Sequence, residues 1–412
     1  MSSLFLEPLT NRILSYLFPL FCAVLVPYIG WCSENELTPY IHLRQEYSDN
    51  LFMASTDAID DFILTLSPGL ALSRKSELLK LNLTGHFDHA KYFDHSELDG
   101  NDTSISGNAS VSATERLTLS ADAAYAKDSR PDRDLDDTGL VLDTTRRDRY
   151  QGGVSGNFVF TERTSANFSG SCQKDDYKLI QNEAYDLLAY SASAGIFHQP
   201  AYFNRRAAIF SNLQYSRYEY EKSTVDYYAL TAGLENQFSE TLSIHFNLGA
   251  RYTRSVFQSS QLVLIPSFGY AIVPVEAEST NWGTVGQVSL SYDDEFNHCA
   301  VSASHDIEPA SGRQGSAERT TIRATLRRRF SQELQCSIDG SYYFNNAEAD
   351  QFSSNAINAK TFRGLFRIRY DISRLFYIEN GWTYSRTDDS IANVSADRNL
   401  AFIAVNYKFE ID

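Results

Sequence analysis

The stretch Leu242-Ser243-Ile244-His245-Phe246-Asn247-Leu248-Gly249-Ala250-Arg251-Tyr252 decides the fold. Its even positions are apolar or aromatic, and its odd positions are polar, basic or glycine. A β-strand sends successive side chains to opposite faces, so this ribbon has one greasy side and one wet side. The same alternation recurs over Leu79–Phe87, Leu117–Tyr125 and Leu334–Tyr342.

A soluble sandwich of two sheets alternates in the same way. Three features point elsewhere. The segments often run ten or more residues, the length a tilted membrane-spanning strand requires. Aromatic residues gather at segment ends: Phe158 and Phe160, Tyr215, Phe238, Tyr252, Tyr292, Phe330, Tyr370, Tyr407 and Phe409. That placement fits the aromatic girdles at the two faces of a bilayer. Connections also alternate in length. Thr161-Glu162, Ser239-Glu240 and Asp294-Glu295 are short, whereas Ala126–Thr145, Gln258–Asn281 and Asn345–Ile357 are long. Short periplasmic turns with long outer loops are the pattern of a Gram-negative outer-membrane barrel.

The reading therefore predicts an all-β fold, a transmembrane antiparallel up-and-down β-barrel of about 18 strands, in the bacterial outer membrane. The first strand is expected over Tyr40–Asp49 and the last over Asn399–Phe409, with both chain ends in the periplasm. An even strand count requires Leu262–Val273 to belong to an outer loop and not to the wall. The loop Gln258–Asn281, with its apolar centre, is then the candidate lid or plug.

The remaining composition agrees. The chain has 412 residues, 36 Lys+Arg against 52 Asp+Glu, and a net charge of −16. Such acidity leaves no basic face for a nucleic acid. With 43% hydrophobic and 13% aromatic residues the chain is not disordered. Arg12 precedes an apolar run from Ile13 to Gly30, and polar Ser33-Glu34-Asn35-Glu36 follows. A cation, an apolar core and a small residue before a polar start describe a secretory signal. Residues 1–32 are expected to be that signal, cleaved after Cys32, and 33–412 the barrel. After residue 32 the most apolar stretch, Leu262–Val273, is short and broken by Pro266 and Gly269, so no helix is expected to span a bilayer.

Catalytic chemistry is sparse. Cys172, Cys299 and Cys336 fall in phase with the apolar sides of their strands and read as small hydrophobes. No haem-attachment motif, metal-ligand spacing, phosphate loop or nucleophile elbow occurs, so neither cofactor, metal site nor enzyme activity is expected. His86 and His245 lie on the polar side. The run Asp128–Asp137 lacks the Gly and Glu spacing of a calcium loop and reads as a solvated outer loop.

The arginines are more informative. Arg319, Arg323, Arg327 and Arg329 alternate with Ile322, Ala324 and Leu326. Two strands later Arg363, Arg367 and Arg369 alternate with Phe362, Gly364, Phe366 and Ile368. Both rows should face the lumen, because arginine on the lipid face costs about 2–4 kcal/mol at the midplane. Arg328 falls on the apolar side, at a strand end where it can snorkel. Asp339 faces inward between the rows, and Arg206 and Arg251 are expected to add inner cations elsewhere on the wall. The rows either brace the wall through salt bridges or form a cationic stripe that guides an anionic solute, since rings of arginine can select anions.

Three stretches carry a family likeness: Gln45-Glu46-Tyr47-Ser48-Asp49-Asn50-Leu51-Phe52, Ser67-Pro68-Gly69-Leu70, and Ile307-Glu308-Pro309-Ala310-Ser311-Gly312. With them the chain resembles the β-barrel porins associated with exopolysaccharide synthesis and PEP-CTERM sorting loci. The resemblance implies an outer-membrane pore, a conduit for exopolysaccharide export, working with outer-membrane lipid around it and periplasmic export partners below it. It brings no catalytic or sugar-binding residues. A general diffusion porin for small solutes and a structural sleeve in an outer-membrane complex are the alternatives.

Overall fold

The computed structural model describes residues 34–130, 135, 138–140, 146–178, 185–201, 206–265, 269–310 and 313–410. The secretory signal expected over 1–32 lies outside the described residues. Eighteen antiparallel strands account for almost all of the rest. They are β1 (Glu34–Ser48), β2 (Asp61–Lys75), β3 (Leu79–Tyr92), β4 (Gly100–Ser112), β5 (Leu117–Asp128) and β6 (Arg146–Thr161). Then follow β7 (Thr164–Lys178), β8 (Leu187–His198), β9 (Ala207–Tyr220), β10 (Ser223–Gln237), β11 (Leu242–Ile265) and β12 (Gly269–Asp293). The last are β13 (Asn297–Pro309), β14 (Ser316–Arg329), β15 (Leu334–Ala347), β16 (Ile357–Asp371), β17 (Phe376–Asp389) and β18 (Val394–Lys408). Each strand pairs with its neighbours in sequence, and β1 pairs with β18 from Tyr40↔Lys408 to Ser48↔Leu400, which closes the barrel and removes every wall edge.

The alternation read from sequence is the in–out alternation of this wall. Leu230, Leu248, Ile196 and Leu213 are 57–59% exposed on its outer face. An open apolar surface of this extent, running round a closed barrel, needs lipid. Aromatic residues rim it. Tyr215, Tyr228, Tyr252 and Trp282 stand in one hydrogen-bonded row across β9–β12, with ring centroids 5.0, 6.3 and 5.1 Å apart. Phe238, Phe296 and Phe330 mark the opposite rim. From Tyr228 to Phe238 the chain advances about ten residues of about 3.4 Å each; at a tilt of about 40° this covers roughly 26 Å, the height of a bilayer's apolar band. The protein is an outer-membrane β-barrel. Among the described residues no helix is long and apolar enough to cross a membrane.

Several boundaries differ from expectation. The first strand starts at Glu34, not Tyr40, because its backbone pairs with β2 back to Glu34↔Lys75 although Glu34, Asn35 and Glu36 no longer alternate. Gln258–Asn281 is not a loop. β11 and β12 continue as a regular ladder from Gln258↔Glu276 to Ile265↔Gly269, after β10 has left at Ser223↔Phe257 and β13 at Gly286↔His305. Within Leu262–Val273 the described residues 262–265 and 269–273 belong to this two-stranded ribbon, so they add no wall strand and the count stays even.

Candidate functional site

The inner face is the site to consider, and one end of it is packed. Val225, Tyr227 and Ala229 of β10, and Val285 of β12, share one buried cluster with Ala347 of β15 and with Ile357 and Ala359 of β16. Neither β10 nor β12 neighbours β15 or β16 in the sheet, so the two groups meet only through the interior. Ile307, Ala310 and Ala317 from the end of the β13–β14 hairpin, Leu140 and Phe352 fill the space between them. The hairpin can tilt inward because β12 stops pairing with β13 at His305. Two polar contacts three strands apart hold it: Tyr227 donates to Asp306 at 3.1 Å, and Arg251 pairs with Glu318 at 2.7 Å.

The segment between β5 and β6 also turns inward, contrary to its reading as a solvated loop. Arg130 pairs with Glu46 on β1 at 2.8 Å. Farther round the wall, past β18 and β17, Asn345 of β15 donates to the Thr138 carbonyl at 2.9 Å, and the Thr361 hydroxyl of β16 donates to the Gly139 carbonyl. Leu135 and Leu140 are 1% exposed. The wall supplies donors for the Thr138 and Gly139 carbonyls, and Leu140 joins the apolar cluster. Residues 131–134 and 136–137 lie outside the described residues. Among the described residues the packing that narrows the lumen comes from this strap, the β13–β14 hairpin and the 348–356 connection.

Below this layer the two sides of the lumen differ. On β7–β8 the inner wall is small and hydroxyl-lined, with Asp122 of β5 in the same row as Ser171 and Ser191. Ser169 and Ser193 meet at 2.8 Å, and Ser171 and Ser191 at 2.7 Å. The inner face of β14–β16 carries Arg319, Arg323, Arg327 and Arg329, then Arg363, Arg367 and Arg369, opposite in phase to exposed Ile322, Leu326, Phe362 and Phe366. Register adds what spacing could not show. One row across the wall reads Arg323–Ser341–Arg363–Ser385–Arg398, and the next arginine row reads Arg327–Ser337–Arg367–Gly381.

The predicted cations fall into three groups. Arg206 is not on the wall: it sits in the turn before β9, 43% exposed, 3.8 Å from Glu240, because the strand begins only at Ala207. Arg251 and Arg319 face inward but are braces. Arg251 is 1% exposed and paired with Glu318, while Arg319 donates to Asn345 and to the Pro309 carbonyl. Arg369 is held by Asp371 at 2.7 Å and stacks 3.7 Å from the Tyr377 ring. Arg323, Arg327, Arg329, Arg363 and Arg367 complete the stripe on the inner face. Asp339, between the rows, accepts from Thr325 and Ser337 hydroxyls and makes no ion pair with them among the described residues.

Sequence reading missed Arg398, on the inner face of β18. The signal was hidden because that face is itself apolar: Leu400, Phe402 and Ala404 pack against Leu365, so neither side of the strand reads as wet. Arg44 also escaped notice; its guanidinium lies 3.9 Å from the Phe402 ring centroid and pairs with Glu46 at 2.6 Å. Cys172, Cys299 and Cys336 are free thiols on the outer face, as their phase required. No cluster that could hold a metal occurs among the described residues.

At the sequence level no family matches this chain, and no curated protein does. Solved structures do resemble it. The outer membrane protein OpdK of Pseudomonas aeruginosa is 11% identical, with a TM-score of 0.45 over 91% of this chain and 99% of that one. OccAB1 of Acinetobacter baumannii is 10% identical, with a TM-score of 0.47 over 94% of this chain and 99% of that one. OccK2 (OpdF) of Pseudomonas aeruginosa is 10% identical, with a TM-score of 0.47 over 92% and 98%.

Proposed function

We propose that this outer-membrane barrel is a pore for small anionic solutes. The observation that carries the reading is the inner wall of β14–β16, where Arg323, Arg327, Arg363 and Arg367 face the lumen in two rows. Charged rings in a narrow passage set ion selectivity. The wall opposite is hydroxyl-lined, which offers a solute weak, exchangeable hydrogen bonds. The packed outer end supports a small solute over the exopolysaccharide suggested by the family likeness: a polymer would have to displace the strap, the hairpin and their shared apolar cluster, a larger rearrangement than a small molecule requires.

The test is a reversal potential. Purified protein in planar bilayers under a potassium chloride gradient should conduct and prefer chloride. Changing all four arginines to glutamine should abolish most of that preference while the barrel stays folded. Cation preference in the native protein, or an unchanged reversal potential in the variant, would sink the reading.

A further inference from the structure

The wall across from the arginines is as regular as theirs, but its groups are neutral. β6 and β15 stand half the ring apart. One row across β5–β9 reads Thr118–Asn157–Asn167–Gly195–Asn212. The row above it reads Ser120–Ser155–Ser169–Ser193–Gln214. Both face the lumen, opposite in phase to exposed Leu119, Val154, Phe168, Ile196 and Leu213. A hollow of about 290 Å³ lies against them, lined by Ser120, Ser155, Asn157, Asn167, Ser169 and Ser193. Small-ligand sites begin at about 300 Å³.

The two rows differ in what their polar groups are doing. In the upper one Ser169 and Ser193 satisfy each other at 2.8 Å, and Ser120 donates to Ser110 at 3.1 Å. In the lower one the side-chain amides of Asn157, Asn167 and Asn212 have no protein partner among the described residues. Gly195 opens the floor between two of them. A Cβ at that position would lie 2.4 Å from Oδ1 of Asn167 and 3.0 Å from Oδ1 of Asn212, so both amides lean over the glycine. The row nearer the periplasm turns aromatic. Phe197 pairs with Phe210, and Phe210 reaches over Gly233, where a Cβ would come within 2.3 Å of its Cζ. There it stacks on His245, with ring centroids 4.9 Å apart and planes 16° from parallel. Aromatic rings turned toward a watery lumen, next to amides without partners, have no role in the hydrogen-bonded wall.

We infer that Asn157, Asn167 and Asn212, with Phe210 beside them, form a docking patch for one ring of a neutral polyhydroxylated solute, a sugar or polyol. The inference takes the pore reading as given and goes beyond it, to a second class of cargo on a second wall. A side-chain amide offers both donors and an acceptor, and a sugar hydroxyl is both at once, so the two match in either direction. The C–H face of a sugar ring is apolar and fits against an aromatic side chain. Charge argues for a neutral ligand here. Asp122 stands one row above the serine row, and Glu235 pairs with His245 below, so carboxylates bracket the patch and repel an anion. Amides that give up only water when they bind hold a solute weakly, as passage requires.

Potassium chloride current with D-glucose added reads the patch. Glucose should reduce the native current saturably, and more than tetraethylene glycol does at the same concentration. That ether has a similar mass and few hydroxyls, so it controls for viscosity and filling. The half-blocking concentration of glucose should rise about fivefold in Asn167→Ala and again in Asn212→Ala, each the loss of about one neutral hydrogen bond. Phe210→Leu keeps the bulk but removes the ring, so it should also raise that concentration several-fold, whereas Phe210→Tyr should keep it near the native value. Heat-sensitive electrophoretic mobility checks that each variant is folded. Conducting channels on which glucose and tetraethylene glycol act alike would overturn the patch and leave the pore reading standing. A glucose block equal in N167A, N212A, F210L and the native protein would overturn it as well. Absence of any conductance would overturn both.

Discussion

Gly139 is where the inward strap is most exposed to a single change. Its φ is +66°, and a Cβ built there would lie 2.5 Å from Cβ and 2.6 Å from Cγ of Tyr343. Those atoms are the rigid base of a side chain only 2% exposed, so they cannot swing away. Gly139→Val must therefore move the strap. The β-branched residue pays about 1–3 kcal/mol for the left-handed backbone. The bonds from Asn345 to the Thr138 carbonyl and from Thr361 to the Gly139 carbonyl are lost with the move, at about 1–1.5 kcal/mol each. The docked position then loses roughly 3–6 kcal/mol, enough to loosen a segment whose other described anchors include the buried Leu135 and Leu140, the Ser129–Asp102 hydrogen bond and the Arg130–Glu46 pair. The wall itself should persist, because its hydrogen-bonded ladder does not involve the strap. Single-channel recording in planar bilayers should show a larger, noisier conductance for Gly139→Val, and a smaller rise for Gly139→Ala. Unchanged conductance together with unchanged thermal unfolding in detergent would refute the close approach and the constriction it supports.

Three further outcomes follow from the same geometry. Leu230→Arg, on the lipid face at 58% exposure, should cost about 2–4 kcal/mol in urea unfolding from liposomes, whereas Ser193→Arg on the lumen face should cost far less. Glu318→Gln should destabilise the barrel by about 3–5 kcal/mol because it strands the buried Arg251 charge, and Arg251→Met combined with Glu318→Gln should recover most of that in thermal unfolding. Asp294, in the β12–β13 turn, accepts from Asn297 Nδ2 and from the amides of Phe296 and Asn297, which hold its pKa down to about 2. Its folded value lies below the unfolded one, near 3.9, so its contribution is present above about pH 4 and is lost as pH falls through about 2. The stability deficit of Asp294→Ala should therefore be full at neutral pH and shrink across that acidic window, as followed by the heat-modifiable mobility of the folded barrel.

The wall was legible because lipid enforces it. Every second residue of a spanning strand must tolerate hydrocarbon, so Leu242–Tyr252 or Ile322–Leu326 can be assigned a face from sequence alone. The lumen enforces nothing comparable. Its residues meet water, each other or an infolded segment, and Asp128–Asp137 looks equally polar whether it waves in solvent or binds Glu46 through Arg130. The apolar tip at Leu262–Val273 misled for the complementary reason. The backbone on either arm of that stretch continues the β11–β12 ladder to Ile265↔Gly269, which an apolar run broken by Pro266 and Gly269 does not announce. Strand ends were misplaced where hydrogen bonding outlasts alternation, as at Glu34.

Which arginines become neighbours is a question of register, and the wall answers it more firmly than spacing could. Arg327 and Arg367 lie on strands separated by β15, so their meeting depends on how β15 is aligned. A slip of β15 by one residue would carry Ser337 and Asp339 to the lipid face and turn Cys336 and Ile338 into the water. Placing the Asp339 charge in hydrocarbon is expensive enough to forbid that slip. A slip by two keeps the faces but must break the turn in which the amides of Phe330 and Ser331 donate to the Leu334 carbonyl at 2.8 and 3.3 Å, tightened by the Ser331 hydroxyl. The short turn and the greasy face together fix Ser337 beside both arginines. Ser337→Asp probes that alignment: it places a carboxylate between Arg327 and Arg367, so anion preference should fall with the barrel intact. Were the reversal potential to survive that change, the paired arginines could not be acting through their alignment.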